Sequence, residues 1–207
     1  MTKDQSIQQF LDTLASKTPT PGGGSAAAIM GAMGAALVSM ACNLTIGKPG
    51  YQAVEAELRE VLAAAEGLRT RLTDLVQADI EAFDRVMDAY GMPKDSEEQK
   101  RARSIAIQEA LKQATEVPLE CARASAEVIR LSRIAAEKSN RNVVSDAGVA
   151  AVAGHAALRS AALNVQVNTG AIKDTAFSAA RLEELQRILA QAGEASEATY
   201  HMAKTRL

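Results

Sequence analysis

Hydrophobic positions recur with the spacing of α-helices along most of this chain, and no segment alternates apolar and polar residues as a β-strand does. The pattern predicts amphipathic helices over residues 6–16, 51–90, 96–117, 119–136 and 174–207. Pro118 either kinks the third of these helices or restarts it. A helix over 51–90 would be about 60 Å long, which exceeds the ~35 Å width of a compact chain of this size. It must therefore bend or project against a second subunit.

Two further helical segments carry almost no charge. Between Lys17 and Lys48 there is no charged side chain, and small residues dominate a helix expected from Ser25, as N-cap, to Ile46. A second small-residue helix is expected from Ser145 to Val167. The first is long enough to span a membrane, but it is rich in Ala, Gly and Ser rather than large aliphatic residues. The composition favours a helix buried on all sides, and we predict an all-α bundle with these two helices at its centre.

Composition narrows the class of protein. The 207 residues suit a single domain, 1–207, and the formal charge of −2 with 3% aromatic residues gives no general attraction to nucleic acid or an anionic membrane. Cys42 and Cys121 are expected to be buried apolar side chains rather than a disulfide. The first residues lack a basic region followed by an apolar one, so we expect no secretory signal and a cytoplasmic protein.

The loop Pro19–Ser25 is the first candidate for a site. Three consecutive glycines precede a helix, whose unpaired N–H groups can bind an anion. The loop could equally be a structural turn. It is not a phosphate-binding P-loop, because no Lys-Ser or Lys-Thr pair follows the glycines.

Several polar residues stand within or beside the apolar helices. Asp146 begins the second small-residue helix, where it could cap the helix or accept a proton from water. Asn43, Asn164 and Asn168 could cap neighbouring helices or bind a heterocycle. For Asp79 and Asp84 on the long helix a solvated face is the simplest interpretation, and neither histidine has the spacing of a metal ligand.

These motifs together resemble the cyclodeaminase/cyclohydrolase family of folate enzymes. The resemblance rests on three stretches that occur in order along essentially the whole chain: Pro19–Ala28 with Cys42–Lys48, Ser145–Ala150, and Ala161–Asn168. The run Met40–Lys48 is most similar to the stand-alone methenyltetrahydrofolate cyclohydrolase branch. The length of the helix over 51–90 favours a homodimer. The resemblance implies a tetrahydrofolate derivative as substrate and a reaction that needs neither a metal nor a prosthetic group.

The resemblance also implies roles for individual residues. Water must attack the bridging carbon of an amidinium cation, and Asp146 is the expected carboxylate base for that step. Lys48 is expected to meet the anionic glutamyl tail, and Asn164 and Asn168 to orient the pterin or formyl group. The full set of expected substrate contacts is Pro21, Gly22, Gly23, Gly24, Ser25, Asn43, Lys48, Asp84, Asn164 and Asn168.

Two alternatives stay open at this point. The same scaffold in the family also releases ammonia from formiminotetrahydrofolate as a cyclodeaminase. A helical dimer that binds folate without catalysis is the alternative of another class.

Overall fold

The computed structural model describes residues 4–207, and the residues of this range form an all-α bundle, as the spacing predicted. The first three residues, which contribute to the expectation of no secretory signal, lie outside the described residues. The six helices are α1 (Ile7–Leu14), α2 (Gly23–Asn43), α3 (Glu55–Gly91), α4 (Glu97–Lys138), α5 (Val144–Gly170) and α6 (Thr175–Thr205). Short 3₁₀ turns at Gln52–Val54 and Arg141–Val143 lead into α3 and α5.

One predicted helix start is wrong, and one of the two alternatives for Pro118, a restart of the helix, is excluded. Helix α2 begins at Gly23 with Gly22 as N-cap, so Ser25 is the third residue of the helix and not its cap. Helix α4 runs without a break for 42 residues and contains Pro118 in its interior. It begins at a capping box in which the hydroxyl of Ser96 accepts from the backbone N–H of Gln99 and the Gln99 side chain accepts in return.

Consecutive long helices run antiparallel, and α2 and α5 lie side by side at the centre. Gly34 of α2 meets Ala150 and Gly154 of α5, where a Cβ on Gly34 would be 3.1 Å from the Ala150 carbonyl oxygen. Gly154 is equally tight against Ile129 of α4. The glycines therefore allow three helix backbones to approach closely. Helices α3 and α4 cover one side of this pair, and α6 covers α5.

Helix α2 is not enclosed on every side. It is long and apolar enough to cross a membrane by length and composition, although 61% of its most apolar 18 residues are buried against the other helices. Its remaining side is exposed, with Met33 at 51% and Met40 at 43% of their full accessibility. The predicted burial from all sides is thus incomplete in a single chain.

Candidate active site

A cavity of about 430 Å³ opens where the start of α2 meets the C-terminal parts of α3 and α5. This volume falls within the roughly 300–1,000 Å³ of small-molecule sites. The glycine-rich loop forms one wall through Pro19, Thr20 and Gly22–Gly24, and the first half of α4 forms another. Most of the remaining lining is apolar: Ala82, Phe83, Val86, Leu111, Ala114, Pro118, Val167 and Ala171.

Asp79 is the carboxylate of this cavity, since no other Asp or Glu belongs to its lining within residues 4–207. Burial raises the pKa of Asp79 above the ordinary value of 3.8, while hydrogen bonds from the hydroxyl and backbone N–H of Ser25 act in the opposite direction. The Ser25 hydroxyl donates to Asp79 Oδ2 at 2.8 Å. A carboxylate with a raised pKa is a better base near neutral pH than an exposed one.

The glycine-rich loop and Asp79 depend on each other. Gly22 has no side chain to cap α2, so the first turn of that helix has backbone N–H groups without helical partners. The carboxylate of Asp79, on α3, lies beside the first turn of α2. The anion bound at the start of this helix is therefore a side chain of the protein itself. A Cβ at Gly24 would overlap Asp79 Oδ1 and would lie 2.6 Å from its Cγ. Only glycine at position 24 leaves room for the carboxylate.

Asn164 and Asn168 lie one helical turn apart on α5, and both line the cavity. Asn164 Nδ2 donates to the Ser160 carbonyl of its own helix at 3.0 Å. Asn168 Nδ2 donates to the Ala114 carbonyl of α4 at 2.8 Å. Each side-chain oxygen has no hydrogen-bond partner among the described residues, so both remain available to a ligand.

The other expected site residues lie elsewhere in the chain. Pro21 is buried next to the cavity wall, and Ser25 reaches the site only through Asp79. Asp84 is exposed on α3 and does not line the cavity. Asn43 and Lys48 are exposed at the far end of α2.

Asp146 also lies far from the cavity within one chain. It stands in the first turn of α5, half-buried, and 18 residues separate it from Asn164. At 1.5 Å per residue this is about 27 Å along the helix. Asn43 is separated from Gly23 by about 30 Å by the same measure. The expected site residues thus form two groups, one at each end of the α2–α5 pair.

Sequence reasoning gave Asp79 no role, although a signal was present. The apolar stripe of α3 that faces the bundle includes Leu72, Val76, Phe83 and Val86, and Asp79 occupies a position in that stripe. A carboxylate at a core position is unusual and indicates function more strongly than one on a polar face. Asp84 lies off the stripe.

Metal-binding clusters and thiol pairs do not contribute to this site. Among residues 4–207 no three His, Cys, Asp or Glu side chains are arranged to hold a metal ion. Cys42 and Cys121 are free and buried, as expected, and burial raises their pKa values to about 11 and about 12. Both thiols are therefore protonated at neutral pH.

Comparison with known proteins gives consistent results. The family model described as formiminotransferase-cyclodeaminase matches residues 6–187. The chain is 58% identical to a methenyltetrahydrofolate cyclohydrolase of Methylorubrum extorquens, over all 207 residues and the whole of that protein. It is 34% identical to a formimidoyltransferase-cyclodeaminase of Sus scrofa over 90% of this chain, which spans 34% of that longer protein.

A solved structure extends the comparison to the fold. The crystal structure of formiminotetrahydrofolate cyclodeaminase from Thermotoga maritima superposes with a TM-score of 0.84 at 35% identity, over 100% of this chain and 98% of that one. The chain therefore belongs to the formiminotransferase-cyclodeaminase family.

Proposed function

We propose that this chain is a methenyltetrahydrofolate cyclohydrolase, which hydrolyses 5,10-methenyltetrahydrofolate to 10-formyltetrahydrofolate in a reversible reaction of one-carbon metabolism. The observation that carries the proposal is the 58% identity to a cyclohydrolase over the full length of both chains. The cavity supports it chemically, because a half-buried carboxylate with a raised pKa lies among mostly apolar walls.

The reaction needs few protein groups. The substrate carries a delocalised amidinium cation, and water adds to the carbon that bridges N5 and N10. One proton of the water passes to a base, which leaves a neutral hydroxyl adduct. The bond from that carbon to N5 then breaks as the hydroxyl proton is transferred to N5, so the carbon becomes the formyl C=O and N5 leaves as a neutral amine. The net reaction consumes one water and releases one proton. A positioned base contributes about 10²–10⁴-fold to such a step.

Asp79 is suited to be that base. Its negative charge lies where the cation of the substrate would bind, so it also stabilises the bound amidinium. The aromatic and aliphatic side chains Phe83, Val86 and Val167 provide apolar surface for the ring system. Asn164 and Asn168 present acceptor oxygens to N–H groups of the pterin.

The test is spectrophotometric. Purified protein is added to 5,10-methenyltetrahydrofolate at slightly acidic pH, where spontaneous hydrolysis is slow, and loss of the methenyl chromophore is followed against a control without protein. Loss above the control rate supports hydrolysis. A rate equal to the control would overturn the proposal, and folate binding without turnover would favour the non-catalytic alternative.

Cyclodeaminase activity is the second candidate, because the Thermotoga maritima protein of the same fold is a formiminotetrahydrofolate cyclodeaminase and is 35% identical to this chain. Both reactions take place at the amidine carbon of the substrate, and the same cavity would serve both. Supplying formiminotetrahydrofolate and measuring ammonia release separates them. We expect ammonia release to be slow relative to methenyl hydrolysis.

The active unit in this proposal is a homodimer that pairs through the exposed side of α2 and α5, which we name the α2–α5 face. It exposes a row of large apolar side chains on the two helices: Met33, Met40, Val149, Val152, Leu163 and Val167. Arg159 is exposed on the same side. An apolar surface of this extent is typical of a homodimer interface, and the occupant we assign to it is a second copy of this chain.

Pairing with a two-fold axis across the helices would join the two groups of expected site residues. A two-fold axis perpendicular to these helices reverses their direction in the partner, so the cavity end of one copy lies against the far end of the other. Asp146 of the partner subunit would then be a second carboxylate beside the substrate, and Lys48 of the partner subunit would meet the glutamyl tail. Asn43 of the partner subunit would approach the same cavity.

A further inference from the structure

Pro118 creates an unusual hydrogen-bonding requirement in the wall of the cavity. In a regular α-helix the carbonyl of residue 114 accepts from the backbone N–H of residue 118. Proline has no N–H, and its ring also crowds the carbonyl four residues before it. Ala114 and Pro118 are both buried and both line the cavity. The Ala114 carbonyl therefore needs another donor.

Asn168 supplies that donor from the neighbouring helix. Its Nδ2 lies 2.8 Å from the Ala114 carbonyl oxygen. A carbonyl can only accept, so the amide must present its NH₂ group to α4 and cannot be turned the other way. The side-chain oxygen and the second N–H of Asn168 are thereby left for other partners, in a side chain that lines the cavity.

Asn164 provides the contrast within the same helix. Its Nδ2 donates to Ser160, four residues earlier in α5, and this local contact does not involve α4. Asn164 is therefore oriented by its own helix, whereas Asn168 is oriented by the carbonyl that Pro118 leaves free.

We propose that Pro118 is a positioning residue for the substrate: it fixes the Asn168 amide so that its oxygen is preset to accept a hydrogen bond from an N–H group on the pterin edge of the folate. This inference rests on the proposed folate function. It predicts that Asn168 contacts the edge of the substrate that carries hydrogen-bond donors, such as the amino and ring N–H groups of the pyrimidine.

The first test is independent of any ligand. The side-chain amide protons of Asn168 are measured by ¹H–¹⁵N NMR in the wild type and in Pro118→Ala. We expect slow exchange in the wild type and faster exchange in Pro118→Ala, because residue 118 then donates to Ala114 and Asn168 is released. Equal exchange in both proteins would overturn the positioning role.

The second test measures binding of 5-formyltetrahydrofolate, a stable folate, by calorimetry. We expect Pro118→Ala and Asn168→Ala each to weaken binding by about three- to tenfold, as for the loss or loosening of one hydrogen bond. The double variant should be no weaker than Asn168→Ala alone, because both changes act through one amide. Pro118→Ala combined with Asn164→Ala should show additive losses and is the matched control.

The outcomes separate a positioning role from a structural one. Alanine suits a helix interior better than proline, so Pro118→Ala should unfold at the same or a higher temperature while it binds folate less tightly. Unchanged affinity in Pro118→Ala, or additivity with Asn168→Ala, would overturn the inference. Absence of folate binding by the wild type would instead overturn the proposed function on which it rests.

Discussion

In the proposed mechanism, Asp79 is the residue that contributes most to the chemistry of the cavity. We expect Asp79→Asn to lower turnover of methenyltetrahydrofolate by at least ~100-fold, the lower range for loss of a positioned base. In the wild type, kcat/KM should fall as pH decreases through the raised pKa of Asp79, above the ordinary 3.8, because the protonated acid cannot accept a proton.

The control for this prediction is Asp84→Asn, which changes an exposed carboxylate on the same helix. That variant should keep wild-type turnover if the substrate binds in the cavity that Asp79 lines, because Asp84 does not line this cavity. An Asp79→Asn protein with near-normal rate, or with the acid limb of the pH profile unchanged, would remove Asp79 from the mechanism.

A single glycine determines whether Asp79 can occupy its place. We predict that Gly24→Ala loses nearly all activity while it remains folded, because the new methyl group would overlap the Asp79 carboxylate. Alanine is otherwise favourable in a helix. Circular dichroism and thermal unfolding report the fold, and the methenyl assay reports activity.

Gly23→Ala is the matched variant for this comparison. A Cβ at Gly23 would lie 3.8 Å from Asn164 Nδ2, which is ordinary van der Waals contact. It should therefore retain much more activity than Gly24→Ala. Equal loss in both variants would mean that the loop, rather than the space around Asp79, is responsible.

At the scale of elements, glycines in helices have two different roles. Gly34 packs where α2 meets α4 and α5, and a Cβ there would be 3.0 Å from Val128 Cγ1. Gly67 is exposed on α3, and a Cβ at that position would have nothing within 4 Å. The first glycine allows close packing of helices, and the second only weakens its own helix.

The same substitution should therefore have opposite effects at these two positions. We predict that Gly67→Ala raises the free energy of unfolding by about 0.5–1 kcal/mol, the difference in helix propensity. Gly34→Ala should lower it by about 1–3 kcal/mol, as overpacking does. Urea unfolding of both variants tests this, and stabilisation by Gly34→Ala would contradict the packing described for α2.

The helices were predictable because each carries a clear local signal. Apolar spacing located α1, α3, α6 and, as two segments, α4 within a few residues. The small-residue composition located α2 and α5 and placed them at the centre. The start of α2 was missed because Ser25 is a favourable N-cap residue, whereas here its hydroxyl is hydrogen-bonded to Asp79 on another helix. The carbonyl that Pro118 leaves without a helical donor in α4 is likewise satisfied from another helix, by Asn168, which is 54 residues from Ala114 in sequence.

The site was harder to predict than the fold for the same reason. The loop, Asn164 and Asn168 were expected from motifs and do line one cavity. Asp79 was not expected. Its position in the apolar stripe of α3 is a local signal of burial, but its contact with Gly24 on another helix is not reported by any pattern around residue 79. The roles of Asn43, Lys48 and Asp146 remain predictions that depend on a second copy.

At the scale of the whole molecule, the proposed dimer can be tested by complementation. Asp79→Asn and Asp146→Asn should each be inactive alone, because every site lacks one carboxylate. Coexpressed, they should recover about a quarter of wild-type activity, since half of the dimers are mixed and each mixed dimer has one complete site of two.

The alternatives give different results in the same experiment. A mixture as inactive as the separate proteins would mean that each site is built from one chain. Full turnover by Asp146→Asn alone would show that Asp146 is not needed. Light scattering of Met33→Glu, which puts a charge on the α2–α5 face, should show monomers if that face is the interface.

The burial of Asp79 has a consequence for the balance between activity and stability. Because its pKa in the folded chain is raised, ionisation of Asp79 favours the unfolded state. The stability associated with this group is fully present below its ordinary pKa of 3.8 and is lost as pH rises through the folded value.

At neutral pH, Asp79→Asn should therefore unfold at a higher temperature than the wild type, and the difference should shrink as pH approaches 4. Equal unfolding temperatures across this range would show that the carboxylate is better solvated than its burial indicates. If Asp79 is the base that we propose, the charge needed for catalysis is one that destabilises the fold. Selection for thermal stability without selection for turnover should then replace this residue.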